Sequence, residues 1–276
     1  MTNSLKIETD GFIKSSAGKA RKPPPRGKRH AWQHVAFTKD AAQRSIRTFY
    51  GGVMFEYEAI ARQPLFYLFV AFSALLSFGY FWGKRVNERL FRTVFEELVA
   101  VVRPVDQTFT NIGGLIGYHA SLTMPKKGAI EAVNATITFL PRHSWLWMPI
   151  SKLIRKYDRL FITLHLRQTP IAEGHLIEAA YARFRGPKIT NAASLNHERV
   201  VWGNLDFLLY HGSNRIRDRL RSFVADHPDP GTLRHIAIVP EQKKCFIFMI
   251  PLKGQVARSL SPVYQWIPTL MKQDEK

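Results

Sequence analysis

The stretch RQPLFYLFVAFSALLSFGYFWGKRVNERL, residues 62–90, contains the run that sets the organisation of the chain. The nineteen residues from Leu65 to Gly83 include no Asp, Glu, Lys, Arg or His. A helix of that length rises about 28 Å, which matches the hydrocarbon core of a bilayer. Amphipathic rings, which favour the headgroup region, lie near its ends: Tyr67, Tyr80 and Trp82. The sequence predicts one transmembrane helix over residues 64–83, in preference to a buried helix of a soluble domain.

Basic residues are unevenly placed around this run. Within about twenty residues, the window over which flanking charge orients a span, the N-terminal side carries Arg47 and Arg62. The C-terminal side carries five basic residues: Lys84, Arg85, Arg89, Arg92 and Arg103. Because cytoplasmic flanks carry the excess of Lys and Arg, this count predicts a cytosolic C-terminal domain.

Residues 1–63 form a basic N-terminal region with twelve Lys or Arg against five acids. Its segment KSSAGKARKPPPRGKRH contains three consecutive prolines, which enforce an extended backbone. We interpret the region as a largely disordered arm. Its charge also suits attraction to phosphates, either of anionic lipid or of RNA, and the sequence does not separate these two polyanions.

Residues 84–276 are expected to fold as one α+β domain. An amphipathic stalk helix is predicted over residues 84–103, because apolar residues recur every four positions: Val86, Leu90, Val94, Leu98 and Val102. Alternating apolar residues then predict strands in YHASLTM, AVNATITFL and LFITLHL. Between the last two, SWLWMPISKLIRKYD predicts a short helix that crosses over the sheet.

The second half of this domain repeats the mixture of helix and strand. Strands are expected in HLIEAAYARF, ERVVWG, RHIAIVP and CFIFMIPL. One helix, bent near Gly212, is expected in NLDFLLYHGSNRIRDRLRSFVADHP, and a short helix in SLSPVYQWIPTLM. The predicted fold class is α+β: a single transmembrane helix followed by a cytosolic mixed sheet covered by helices.

The sequence offers little chemistry. It contains no Walker loop, HExxH, GxSxG or pair of cysteines, and its ten histidines are dispersed. Cys245 lies in an apolar run that predicts a buried strand, so it predicts neither a disulfide nor a thiolate metal ligand, and its absence of a partner favours a reducing compartment. We predict that the protein is not an enzyme and has no catalytic residues, metal site or cofactor.

Three groups of residues suit contact with partners. In NRIRDRLRSF, phosphates of ribosomal RNA could bind Arg215, Arg219 and Arg221, although Arg stems framing a buried apolar stripe are the plainer interpretation. In SWLWMP, Trp145 and Trp147 are candidates for the membrane surface or a partner, with core packing as the alternative. Within the span, a small-residue face for another membrane helix comprises Ala71, Ala74 and Ser77.

The order of these segments resembles the calumin family, coiled-coil-domain-containing membrane proteins of the endoplasmic reticulum. The likeness runs from about Glu56 to Leu270 and includes GKRVNERL closing the span, then FEELVAVV, IGYHASLTM and ATITFL. It continues through PISKLIRKYDRLFITLHL, LDFLLYHGSNRIRDRL and VPEQKKCFIFMIPLKG. No catalytic signature marks this family, so the match is one of element order with scattered identities.

The resemblance implies a subunit of the PAT complex of the multipass translocon, in the endoplasmic reticulum membrane. Such a subunit lies beside the Sec translocon and the ribosome, and with a small multispanning partner it shields insufficiently hydrophobic segments of nascent membrane proteins. Two features depart from the family. The basic KARKPPPRGKRH stands where the family has an acidic lumenal region linked to calcium, and the long C-terminal coiled coil has no counterpart before Lys276.

Two other functions remain open at the level of sequence. The first is a membrane-tethered receptor for ribosomes or RNA, including one in the mitochondrial inner membrane, since the sequence pI is about 10.3. The acidic Glu8 and Asp10 in MTNSLKIETD count against a transit peptide. The second is an enzyme of unrecognised type.

Overall fold

The computed structural model describes residues 62–184, 186–187, 189 and 192–271. In these residues there are five α-helices, α1 Pro64–Val102, α2 Met148–Arg155, α3 Ala179–Phe184, α4 Asn214–Asp226 and α5 Val256–Trp266. The strands are β1 Asp106–Asn111, β2 Gly117–Thr123, β3 Ile130–Thr138, β4 Arg159–Leu166, β5 Gly174–Glu178, β6 Asn196–Trp202, β7 Leu205–His211, β8 Leu233–Val239 and β9 Lys244–Met249. The basic arm expected in the N-terminal region lies outside the described residues, apart from Arg62 and Gln63.

All nine strands form one sheet in the order β1-β2-β3-β4-β9-β8-β5-β7-β6. The α+β class is confirmed. The prediction of a mixed sheet is wrong, because each pairing between these strands is antiparallel. Five consecutive pairs of strands are antiparallel neighbours: β1–β2, β2–β3, β3–β4, β6–β7 and β8–β9. Strands β5 and β6 run parallel with one strand between them, and so do β7 and β8, so the connections through α3 and α4 are crossovers.

The centre of the sheet follows the alternation in the sequence. Ile162 of β4 pairs with Ala135 on one side and Ile247 on the other, and all three are almost fully buried. The helices α1, α4 and α5 contribute buried side chains to the same apolar core, so they cover this face of the sheet. The predicted helical cover over at least one face is confirmed.

Strand β1 was not expected from the sequence. Its residues DQTFTN are exposed at every position, so no alternation between apolar and polar residues marks it. It pairs with β2 along its whole length at the edge of the sheet. An edge strand needs only one partner, and its pairing is therefore weakly encoded in side-chain pattern.

The helix expected across residues 205–226 is also wrong in its first part. Residues Leu205–His211 form β7, and α4 begins only after Ser213, whose Oγ accepts a 3.5 Å hydrogen bond from the Ile216 amide. Buried Phe207 and Leu209 alternate along β7, as expected for a strand. With the adjacent Leu208, however, the apolar residues of this segment also fit the spacing of an amphipathic helix. Likewise, HLIEAAYARF is a strand only as far as Glu178 and then becomes α3.

Helix α1 runs without interruption from the apolar run into the core. It is, in the described residues, the one helix long and apolar enough to cross a membrane, and only 6% of its most apolar stretch is buried. That exposure is opposite to what a buried helix of a soluble domain would show. Farther along, Val94, Leu98 and Val102 are buried beneath the sheet. The C-terminal half of α1 is thus part of the core rather than a free-standing stalk.

A carboxylate joins α1 to the last helix. Glu97 accepts backbone hydrogen bonds from Gly254, at 2.7 Å, and from Ala257, at 3.1 Å, in the first turn of α5. Gly254 lies just before the N-cap residue Gln255, and Ala257 lies in the first turn, where amide groups have no partner within the helix. Glu97 therefore caps α5 from a distance of more than 150 residues along the chain.

We expect Glu97→Gln to destabilise the docking of α5 by about 1–2 kcal/mol, because a neutral amide is a weaker acceptor and cannot keep both bonds. Hydrogen exchange of the full-length protein in detergent should then show faster exchange in α5. The matched control is Glu96→Gln, since Glu96 is exposed one position earlier on the same helix. Equal exchange in both variants would contradict this capping role.

Candidate functional site

The connection between β3 and β4, residues 139–158, lies directly against α1 where the apolar run ends. A Cβ atom on Gly79 would stand 2.6 Å from the ring of Trp145, and one on Gly83 would stand 2.2 Å from the carbonyl carbon of Arg142. The two glycines are four residues apart and therefore lie on one face of the helix. Only residues without a side chain permit this approach, so the glycines seat the connection on the helix.

A buried polar network holds the connection in place one turn later. The Asn87 side chain is fully buried, and its Nδ2 donates to the carbonyl oxygens of Leu115 and Leu140, each at 3.1 Å. Its Oδ1 accepts a 2.9 Å bond from Nη1 of Arg142. Arg142 also forms a bidentate ion pair with Asp158, at 3.0 and 2.7 Å. We call Asn87, Arg142 and Asp158 the junction network.

The junction network fixes three separate segments against one another. Asp158 Oδ1 also accepts a 2.7 Å bond from the amide of Leu140, so the carboxylate at the end of the connection binds the backbone at its start. Asn87 also binds the turn between β1 and β2, through its hydrogen bond to the Leu115 carbonyl. Buried polar groups that satisfy one another in this way specify a single arrangement, because any displacement leaves a charge or amide unpaired.

Helix α2 does not cross over the sheet, contrary to the sequence prediction. Strands β3 and β4 are antiparallel neighbours, so their connection stays at one end of the sheet. The apolar residues Ile150, Leu153 and Ile154, expected to face the sheet, are exposed, whereas Ser151 is buried. The local sequence was amphipathic as predicted, but the apolar side faces outwards.

The two tryptophans proposed as surface contacts have different environments. Trp145 is half-buried against Gly79 and makes an edge-to-face contact with Phe78, with ring centroids 6.2 Å apart. Trp147 is 53% exposed. Trp145 therefore packs within the chain, while Trp147 remains available to lipid or a partner.

The predicted small-residue face of the apolar run is open. Ala71, Ala74 and Ser77 are all exposed, and at 100° per residue they lie on the side of α1 opposite to Gly79 and Gly83. Ser77 Oγ donates to the carbonyl of Ser73 at 2.9 Å, so its hydroxyl is satisfied within the helix. Nothing in the described chain covers this face.

The proposed phosphate-binding arginines are not equivalent. Arg215 and Arg219 project from the exposed side of α4. Arg221 is also exposed, but its guanidinium forms a two-bond ion pair with Glu198 of β6, with Nε and Oε1 separated by 2.7 Å. This pair raises the pKa of Arg221, first through the hydrogen bonds and then through the charge of Glu198. A phosphate would have to compete with Glu198 for Arg221.

The sheet face away from the main core carries a cleft of about 650 Å³ that the sequence did not indicate. Phe161, Phe246 and Phe248 line it together with His175 and His235. The two histidine rings stack at 5.9 Å. Burial, and then the neighbouring His175, lowers the pKa of His235 to about 3, so that ring stays neutral near pH 7.

The polar groups of this cleft are partly satisfied. His175 Nε2 lies 3.0 Å from Glu173 Oε1, whereas His175 Nδ1 and His235 Nε2 are buried with no hydrogen-bond partner in the described chain. The apolar floor and the two ring nitrogens suit an amphipathic ligand with one polar group. The histidines come together only through the register of β5 and β8, so their positions in the sequence give no signal.

Cys245 is fully buried in β9, as its sequence context predicted. Burial raises the pKa of its thiol far above the usual range. In the described residues no three His, Cys, Asp or Glu side chains are placed to hold a metal ion.

No family model matches the chain, and no curated protein matches it.

Sequence reasoning missed the junction network because its three members lie far apart in the chain. One signal was present: Gly79 and Gly83 form a pair of small residues spaced by four at the end of the apolar run. That spacing indicates close packing on a helix. It does not reveal that the packed segment belongs to the same chain.

We expect Arg142→Ala to destabilise the protein by about 3–5 kcal/mol, because it leaves the buried Asp158 carboxylate without its cation. Arg217→Ala removes an exposed pair with Asp218 and should cost about 0–1 kcal/mol. Thermal unfolding of both variants in the same detergent provides the comparison. Similar losses of stability in the two variants would contradict a structural role for the junction network.

Proposed function

We propose that this chain is a single-pass protein of the endoplasmic reticulum membrane that assists the insertion and folding of multispanning membrane proteins. Its C-terminal domain would face the cytosol, beside the Sec translocon and the ribosome. The observation that carries this proposal is the continuity of α1, whose exposed apolar half leads directly into a half buried in the core. The domain is therefore rigidly coupled to the span.

Two further features support a role in contact rather than in chemistry. The exposed Ala71, Ala74 and Ser77 face suits close approach by a helix of a small multispanning partner, as in the PAT complex. Arg215 and Arg219 suit ribosomal RNA. With the partner bound, polar segments of nascent membrane proteins would be shielded beside the span from lipid.

Co-purification from cells in mild detergent tests the proposal directly. Translocon subunits, ribosomal proteins and a small multispanning protein are the expected companions of the tagged full-length chain. Recovery of the chain without any of them, under conditions that preserve a known translocon complex, would overturn the proposed assembly.

The topology follows from the five basic residues after Gly83 against two before Leu65. We expect protease added to sealed microsomes to remove an epitope tag placed after Lys276 and to spare a tag placed before Met1. Detergent should expose both tags, which controls for intact vesicles. Protection of the C-terminal tag would reverse the orientation and remove the translocon function with it.

Replacing Ala71, Ala74 and Ser77 together by Leu should release the multispanning partner, because bulky side chains prevent close helix approach. Membrane insertion of the chain should be unchanged, since Leu favours the bilayer core. The matched control replaces Phe69, Phe72 and Leu75 by Leu, Leu and Ile, which changes side chains without enlarging small ones. Retention of the partner by the triple variant would leave the span as an anchor only.

Ribosome binding should depend on salt, since each phosphate contact releases counterions. A handful of contacts predicts a loss of about tenfold or more in affinity between ~50 and ~200 mM salt. The double variant Arg215→Gln with Arg219→Gln should flatten this dependence in a sedimentation assay. Arg221→Gln should change it less, because Glu198 already neutralises that guanidinium. Identical slopes in all variants would assign ribosome contact to other residues.

A further inference from the structure

Helix α2 exposes its apolar side and buries a polar residue. Ser151 is only 6% exposed, whereas Leu153 is 82% and Ile154 61% exposed. A surface helix of a water-soluble domain shows the reverse, with its apolar stripe against the core. The arrangement is unfavourable in water and needs an apolar covering.

The exposed apolar residues form one continuous patch, which we call the α2 apolar face: Leu146, Trp147, Ile150, Leu153 and Ile154. Leu146 and Trp147 lie in the turn just before α2, and when 100° per residue is carried back over that turn the five residues fall within about 120° of the helix circumference. The exposed cations Lys152, Arg155 and Lys156 lie on the other side. A helix with an apolar face, a basic face and a tryptophan is typical of helices that lie in a membrane interface.

The position of α2 relative to α1 identifies what covers this face. Trp145, three residues before α2, packs on Gly79, which lies four residues inside the end of the charge-free run. The turn between β1 and β2, held by Asn87, lies at the same end of the sheet and exposes Ile112. The contacts of Trp145 with Phe78 and Gly79 therefore place the start of α2 beside the exposed apolar surface of α1, near the end of the charge-free run.

We propose that α2 lies in the cytosolic membrane interface as a second, in-plane contact with lipid. Its apolar face enters the acyl-chain region, and Lys152, Arg155 and Lys156 lie at the level of anionic headgroups. The proposal rests on α1 spanning the membrane, as in the proposed function. The junction network holds α1 and α2 in one rigid unit, so the two contacts fix the tilt of the sheet against the bilayer.

An environment-sensitive fluorophore on single introduced cysteines tests the proposal in the full-length protein reconstituted into liposomes. The native Cys245 is fully buried and does not compete for labelling. Labels are placed at Ile154→Cys on the apolar face, at Lys152→Cys on the basic side, and at Phe72→Cys in the exposed middle of the run. Iodide in the buffer and brominated lipid in the bilayer are the two quenchers.

We expect the Ile154 label to show blue-shifted emission, loss of iodide quenching, and quenching by brominated lipid. The Lys152 label should be quenched by iodide and little by lipid. Adding phosphatidylserine to phosphatidylcholine liposomes should increase the blue shift of the Ile154 label, and Lys152→Gln with Lys156→Gln should weaken that increase. A response independent of phosphatidylserine would overturn the headgroup contact.

The Phe72 label separates failure of this inference from failure of the proposed function. If lipid quenches Phe72 while iodide quenches Ile154 and Lys152 equally, the span stands and the interfacial position of α2 is overturned. If Ile154 becomes protected only when native membrane proteins are restored, a protein covers the apolar face and the lipid contact is likewise overturned. If iodide quenches Phe72, the span itself fails, and both proposals fail with it.

Discussion

One helix serves as both the exposed apolar segment and part of the folded core, and the rest of the structure depends on that continuity. Helix α1 passes from residues that are almost entirely exposed to Val94, Leu98 and Val102, which are buried beneath the sheet. No loop separates the two halves. A sheet domain joined in this way cannot rotate freely about a linker, so the direction of the apolar segment sets the direction of the domain.

The junction network makes this coupling specific. Arg142 and Asp158 are largely buried, and an ion pair in such a place contributes little net stability over an apolar substitute. The ion pair does disfavour other positions of the connection between β3 and β4, because a shifted connection would leave the Asp158 carboxylate or Asn87 without partners. Gly79 and Gly83 add a steric condition, since a side chain at either position would meet the packed connection. Hydrogen bonds and close packing thus allow only one position of the connection against α1.

The two faces of the sheet are used differently. Helices α1, α4 and α5 bury one face in a continuous apolar core. The other face carries α3 and the cleft containing Phe161, His175 and His235. Buried imidazole nitrogens without partners are unusual in a settled core. In the cleft two of them, His175 Nδ1 and His235 Nε2, lie beside an apolar floor.

Local pattern in the sequence determined the apolar run, the helix that continues from it, and the central strands, because each has its own period along the chain. The alternation around Ala135 and Ile162 predicted two strands that the structure pairs directly. Pattern failed where the spacing of apolar residues fitted both a strand and a helix, as in β7, and where an edge strand is exposed at every position, as in β1. Tertiary structure alone decided the outward-facing α2, the junction network and the histidine cleft. Each depends on register and on contacts between distant segments, and a one-dimensional pattern of hydrophobicity carries no information about which distant residues will meet.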